Sequence, residues 1–202
     1  IVNRNEWLHA TVKQKEAIIH DIKLTLGHKI VLKAPHQGSS IGVKIIDSSQ
    51  VDLSIQAVNA CFFIENVDNH WYKSLSSDQK RNYLFQLTDV RSALGFPLYA
   101  DGIRMLRPEQ LDLYLMQNLN NTTTLEALDT ENELIAEQFI EGVEFSCIVI
   151  EDEKSKPLAL PPTQIIKAEQ VFDYRAKYLP GIARKVTPID LPEQVIKDIQ
   201  LS

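Results

Sequence analysis

Two short apolar runs, Ile30-Val31-Leu32 and Val43-Lys44-Ile45-Ile46, flank the loop Lys33-Ala34-Pro35-His36-Gln37-Gly38-Ser39-Ser40-Ile41-Gly42. Runs of this length bounded by glycine and proline read as strands. Gly38 and Gly42 make the connection a tight glycine turn, so strands are expected over Lys29–Ala34 and Val43–Ile46. The loop has a bland reading, a surface turn with Lys33 at a sheet edge. It also has a sharp one, a phosphate grip. Glycines let backbone N–H groups turn toward an anion, and serine hydroxyls add donors. A lysine ammonium supplies the point charge that a polyphosphate needs. The glycine-serine pattern alone does not choose between the two.

The rest of the chain divides by pattern. Val12, Ile18, Ile19, Ile22 and Leu26 recur near helical spacing, and Gly27 sits at the C-cap position, which predicts a helix over Thr11–Leu26. Residues from about Asp47 to Glu133 read as mostly helical. Ser77-Asp78 starts one helix, with Tyr83, Leu84, Leu87, Val90 and Leu94 as its stripe, and Gly95-Phe96-Pro97 ends it. Pro108 opens another, with Leu111, Leu115 and Leu119 on one face. Asn120–Thr124 reads as loop, Leu125–Leu128 as a helical turn, and Val51–Phe63 fits strand or helix. Strands return at Leu134–Ile140 and Glu144–Glu151, a hairpin-like pair around Gly142, and at Pro157–Leu160. A last helix begins near Pro192.

Charge and composition narrow the class. The chain has 202 residues, 44% apolar content and a net charge of −6. With no basic stripe, nucleic-acid binding is not expected. No apolar run approaches the length that spans a bilayer, and no signal peptide opens the chain. Cys61 and Cys147 read as buried free thiols, because no metal or disulfide spacing accompanies them. A soluble, cytoplasmic protein is the expectation. The chain opens Ile1-Val2-Asn3 without Met and closes inside a helix, so a piece of a longer protein is expected.

Two further stretches carry chemistry. Glu137 and Glu144 flank Gly142. Glu137 lies between Ile135-Ala136 and Phe139-Ile140, and a carboxylate in an apolar strand needs a partner. General acid–base work, metal ligation and acceptance from a sugar diol or an exocyclic amine all remain open, beside a solvated strand face. Phe172-Asp173-Tyr174-Arg175-Ala176-Lys177-Tyr178 interleaves rings and charges, as an ordinary surface loop or as a flap over a bound anion. His9, His20, His28, His36 and His70 show no ligand spacing, and no metal ligand is assigned in this chain.

Taken in order, these three stretches resemble the nucleotide-gripping part of the D-alanine–D-alanine ligases, which are ATP-grasp enzymes. That family shows Lys-Pro-x-x-x-Gly-Ser-Ser-x-Gly, then Glu-x-x-x-x-Gly-x-Glu, then Tyr-Asp-Tyr-x-x-Lys-Tyr. Here they read Lys33…Gly38-Ser39-Ser40-Ile41-Gly42, then Glu137-Gln138-Phe139-Ile140-Glu141-Gly142-Val143-Glu144, then Phe172 to Tyr178. The match covers about 1–46 and 134–202, a discontinuous nucleotide-binding domain. Residues 47–133 look like a helical insertion at the sheet's edge. The resemblance implies an α+β fold, with strands 29–34, 43–46, 134–140 and 144–151 in one antiparallel sheet and the helix 11–26 beside it.

It also implies roles. Lys33 would hold ATP phosphates, and Gly38, Ser39 and Ser40 would close over them. Glu137 would accept from the adenine amine. The backbones of Gln138 and Ile140 would meet the adenine edge, and Phe139 would pack beside the ring. Glu144 would accept from the ribose. Lys177 would reach the transferred phosphate, while Tyr178 would hydrogen-bond near Ser39 and shape the second substrate's site. The implied chemistry joins two D-alanines through an acyl phosphate, for peptidoglycan synthesis. A closing loop would keep water from that intermediate.

Departures remain. Pro35 stands one place later than the family's proline, and Pro162-Thr163-Gln164-Ile165 replaces a usual Pro-x-Glu-Ile. The family's magnesium ligands fall after the last helix, so Mg2+ is expected to be held outside this chain. The chain alone is expected to bind ATP weakly and to ligate nothing. Another ATP-grasp carboxylate–amine ligase and a non-catalytic ATP-grasp-like binding module stand as alternatives. The Tyr83–Leu94 stripe reads either as a small core or as a dimer face, which leaves a homodimer of the full-length protein open.

Overall fold

In the computed structural model, residues 1–38, 40–89, 94–167 and 183–201 are described. They divide into two units, Ile1–Phe139 and Ile140–Ser202.

The first unit opens with β1 (Val2–Asn3), α1 (Arg4–His9) and α2 (Val12–Leu26). Thr11 and Gln14 form a capping box at the start of α2, and Gly27 (φ 86°) closes it. Then come β2 (Lys29–Lys33) and β3 (Val43–Asp47), with the glycine loop between them, and α3 (Val51–Cys61). In α3, Ser54, Val58 and Cys61 are buried at helical spacing, which settles the ambiguous stretch as helix. β4 (Ile64–Asp68), α4 (Asn69–Ser74), α5 (Ser77–Leu87), β5 (Leu98–Ala100), β6 (Ile103–Met105), α6 (Pro108–Gln117), β7 (Thr122–Ala127) and β8 (Glu133–Gln138) follow.

One antiparallel sheet has the order β1-β8-β2-β3. Ile30 and Leu32 of β2 and Leu134 of β8 point into the core, each fully buried, and Ile19 of α2 is buried with them. Strand alternation therefore puts Val31 and Lys33 on the opposite face. A second antiparallel sheet has the order β4-β7-β5-β6.

The stretch 47–133 is thus mixed, with helices α3 to α6 beside a four-stranded sheet, and not helical throughout. Asn120–Thr124 and Leu125–Leu128, read as loop and helical turn, contribute to strand β7. Thr123, Leu125 and Ala127 alternate inward along it. Threonine is β-branched and fits a pleated surface, and buried Thr123 accepts hydrogen bonds from the amides of Asn69 and Asn118, both at 2.9 Å. Leu119, expected on the face of α6, lies beyond the helix end and is 94% exposed. Val90, from the expected α5 stripe, lies outside the described residues, whereas Leu84, Leu87 and Leu94 are buried.

Nor does 47–133 pack apart from what precedes it. Its buried side chains join one core with Val2, Trp7, Ile19 and Leu134. Trp7 donates its indole N–H to Asn59 at 2.7 Å. Buried Arg4 donates to the Phe62 carbonyl at 2.7 Å and pairs with Glu126 of β7.

The second unit holds β9 (Phe145–Ser146), β10 (Val149–Glu151), β11 (Pro157–Ala159), β12 (Thr163–Lys167), β13 (Ala183–Val186) and α7 (Glu193–Leu201). β12 lies between β13 and β9, and β10 pairs with β11, all antiparallel. The expected hairpin of 134–140 with 144–151 does not form. β8 is taken by β1 and β2, and residues 144–151 break into β9 and β10 with other partners. Both edges of β8 were claimed by strands more than a hundred positions upstream, a pairing that local spacing does not encode.

Candidate functional site

The glycine loop is built as the sequence requires. β2 and β3 pair from Lys29↔Asp47 to Lys33↔Val43, and the Ala34 N–H closes the loop mouth on the Gly42 carbonyl at 3.0 Å. Gly42 has φ 68°, and a Cβ there would stand 2.5 Å from Ala34 Cβ. Only glycine fits that position without a shift of backbone. Inside the loop the Ile41 N–H bonds to the Gly38 carbonyl at 3.0 Å, and Ser40 adopts φ 62°. A Cβ at Gly38 would meet nothing within 4 Å, so that edge of the loop faces open space. Ser39 lies outside the described residues.

Lys33 ends β2 on the sheet's open face. Its ammonium pairs with the carboxylate of Glu137 on β8. The register explains the meeting. Val31 is opposite Glu137 and Lys33 is opposite Ile135, so Lys33 and Glu137 are diagonal neighbours on one face. Both side chains are nearly half exposed. The pair contributes little to stability, yet it keeps a cation and an acceptor side by side at the root of the loop.

The next residues of β8 are placed by the same ladder. The Phe139 N–H bonds to the Lys29 carbonyl at 3.0 Å, so the peptide groups of Glu137 and Phe139 face β2. Alternation turns those of Ala136 and Gln138 to the other edge. There β1 pairs only with Leu134 and Glu133. The Phe139 ring lies under the Lys29 ammonium, 3.9 Å from its centroid.

The remaining expected residues fall elsewhere. Ile140, 87% exposed, begins the second unit. Glu144 belongs to that unit too, where its carbonyl accepts from the Ile165 N–H at 2.8 Å. Lys177 and Tyr178 lie outside the described residues. The structure therefore sets Lys33 beside Glu137, with Gly38 and Ser40 in the loop that follows Lys33, whereas Gln138 and Phe139 lie at the Lys29 end of β2. Among the described residues, no group of three or more His, Cys, Asp or Glu side chains could hold a metal ion. No helix there is long and apolar enough to cross a membrane. Cys61 is buried and free, its thiol pushed up to about 12 by burial, which makes it a core residue without nucleophilic use.

One residue escaped the sequence reading. Glu131, only 3% exposed, accepts from the His36 N–H (3.3 Å), from His36 Nδ1 (2.9 Å) and from Gln37 Nε2 (3.2 Å). Its hydrogen bond and charge raise the His36 pKa. Glu131 sits 95 positions from His36 in an acidic, polar stretch, where nothing local marks it as buried.

A lysine, a glycine loop between paired strands and an acid on the neighbouring strand define a class of site, one suited to an anion carrying hydrogen-bond donors. Comparisons with known proteins show what the chain is similar to. Residues 114–202 match the family model described as the D-ala D-ala ligase C-terminus. The D-alanine–D-alanine ligase of Leptospira interrogans is 30% identical over 112 residues, covering 53% of this chain and 31% of that protein. That of Pelotomaculum thermopropionicum is 37% identical over 125 residues, 54% of this chain and 39% of its own length. That of Christiangramia forsetii is 43% identical over 74 residues, 37% and 22%. Over these stretches the chain is similar to D-alanine–D-alanine ligases. The chain spans about a third of the length of the first of these relatives.

Proposed function

We propose that this chain is the nucleotide-gripping segment of an ATP-dependent D-alanine–D-alanine ligase. The observation that carries the reading is the Lys33–Glu137 pair at the root of the Gly38–Gly42 loop. It unites two motifs more than a hundred positions apart on one face of one sheet.

The residues fit the nucleotide. Lys33 would leave Glu137 for the phosphates, and Gly38, Ser39 and Ser40 would close over them with backbone N–H and hydroxyl donors. Glu137 would then accept from the adenine amine. The outward peptide edge of Gln138, continuing to Ile140, suits the adenine edge, with Phe139 beside the ring. Glu144 would accept from the ribose, Lys177 would meet the transferred phosphate, and Tyr178 would border the second D-alanine. ATP supplies the phosphoryl group that activates the first D-alanine's carboxylate. The chain's own part is to position the phosphates, neutralise their charge and exclude water. Magnesium is assigned to no residue of this chain. The ATP-grasp assignment of the fold, and residues 47–133 as an insertion into it, belong to the same proposal.

Calorimetry with a non-hydrolysable ATP analogue tests it. Lys33→Ala and Glu144→Ala should each weaken binding by about tenfold or more, the loss of one charge-assisted contact. Unchanged affinity in both would overturn the site assignment. Phosphate release from ATP and D-alanine by the chain alone would contradict its expected inactivity.

A further inference from the structure

The stem of the glycine loop is not held by the hairpin alone. Residues 36 and 37, just before Gly38, are bound by one carboxylate from a distant part of the chain. Glu131 lies between β7 and β8 and takes donors from the His36 backbone, the His36 ring and the Gln37 side chain. A carboxylate buried to 3% exposure is costly unless its oxygens are satisfied. Here both oxygens are used, Oε1 by the His36 N–H and Gln37, Oε2 by the imidazole. Past that clamp, the space beside Gly38 is open. The result is a stem held from outside its own hairpin.

We propose that Glu131 is a positioning residue for the glycine loop: it anchors the stem at His36 and Gln37 and so sets where the loop's donors stand for phosphates. The link to phosphates rests on the nucleotide reading above; the clamp itself does not. Glu131 closes the 47–133 stretch just ahead of β8, so that stretch bears on the loop through this contact.

The clamp is pH-sensitive in a defined sense. His36 is 81% exposed, and the charged groups acting on it are Glu131 by hydrogen bond and charge, and Glu133 by charge. Its pKa is raised above the ordinary histidine value of 6.5. The extra hold of the imidazolium is therefore complete below that value and fades as pH rises through the raised one. The two neutral donors, the His36 N–H and Gln37 Nε2, remain.

Amide hydrogen exchange on the whole chain, without nucleotide, reads the clamp directly. Glu131→Gln and His36→Ala should lower protection of the amides between residues 37 and 41 by roughly fivefold or more. Protection in β4 and β7 should stay within about twofold of wild type. In wild type, loop protection relative to intrinsic rates should fall as pH rises from 6 to 8 (a span on the order of the histidine titration range), and His36→Ala should abolish that step. His36 is exposed, so its variant folds even where Glu131→Gln does not. Unchanged loop protection in His36→Ala, or the same pH step in that variant, would overturn the proposal. Adenylyl imidodiphosphate binding then separates the two readings. If wild type binds none, the nucleotide reading fails while the exchange result still decides the clamp. If wild type binds and His36→Ala loosens the loop without weakening binding at pH 6, the clamp does not serve the phosphates.

Discussion

Residues 1–139 and 140–201 solve the burial problem differently. The first unit surrounds Trp7, Phe62, Tyr72 and a set of leucines and isoleucines, all at 0% exposure, with two sheets and six helices among its described residues. The second has only Pro162 and Ile189 buried among its described residues, while Ile148, Val149, Ile150 and Leu158 stay 44–60% exposed. Its α7 buries no residue. The first unit therefore has a core of its own to stabilise it, whereas the strands of the second rest mainly on backbone pairing. The glycine loop, Lys33 and Glu137 sit on the first unit, and Glu144 on the other.

That contrast can be broken from its strongest point. Phe62→Ala empties a fully buried ring position and should cost about 3–5 kcal/mol of first-unit stability. Thermal or urea melts should show it across α2, β2 and β7 together, because one core serves both sheets. A melt in which the β4–β7 layer is lost while β2 and β3 persist would show that layer to be separate. Gly42→Ala should cost about 2 kcal/mol, from left-handed backbone and the approach to Ala34. A stability change below about 0.5 kcal/mol would mean that the loop mouth is softer than the hairpin implies. Lys33→Ala should leave first-unit stability within about 0.5 kcal/mol, since its ion pair is nearly half exposed. Under the proposed function its effect falls on nucleotide affinity, and a large drop in melting temperature would recast Lys33 as structural. Ser76→Ala removes the capping box of α5 and should cost about 1 kcal/mol, confined to the first unit. No change there would show α5 to be held by packing alone.

Much of the site hairpin was readable before any fold. Lys33, Gly38 and Gly42 carry it because they act through local geometry: a strand end, a turn, a left-handed backbone. Helices with strong local signals were equally legible, α2 from its stripe and Gly27, α6 from Pro108. β7 was not, because threonines after two asparagines look like loop until a partner strand covers them. Glu131 was not either, because burial of an acid depends on which donors arrive. The Tyr83 hydroxyl, donating to Glu65 at 2.7 Å with its pKa raised by burial and by that carboxylate, is a second such case. Tyr83 is thereby partly buried against this unit's core.

By itself the amino-acid order determined where the chain turns, which short runs extend, and which charged side chain stands at the root of the glycine loop. These follow from backbone sterics and from side-chain chemistry within a few positions. Only the tertiary structure decided that β8 lies between β1 and β2, that Lys33 meets Glu137 across that ladder, and that Glu131 holds the loop's stem. Strand pairing and buried charge are settled by partners far along the chain, whose meeting depends on the whole core closing at once.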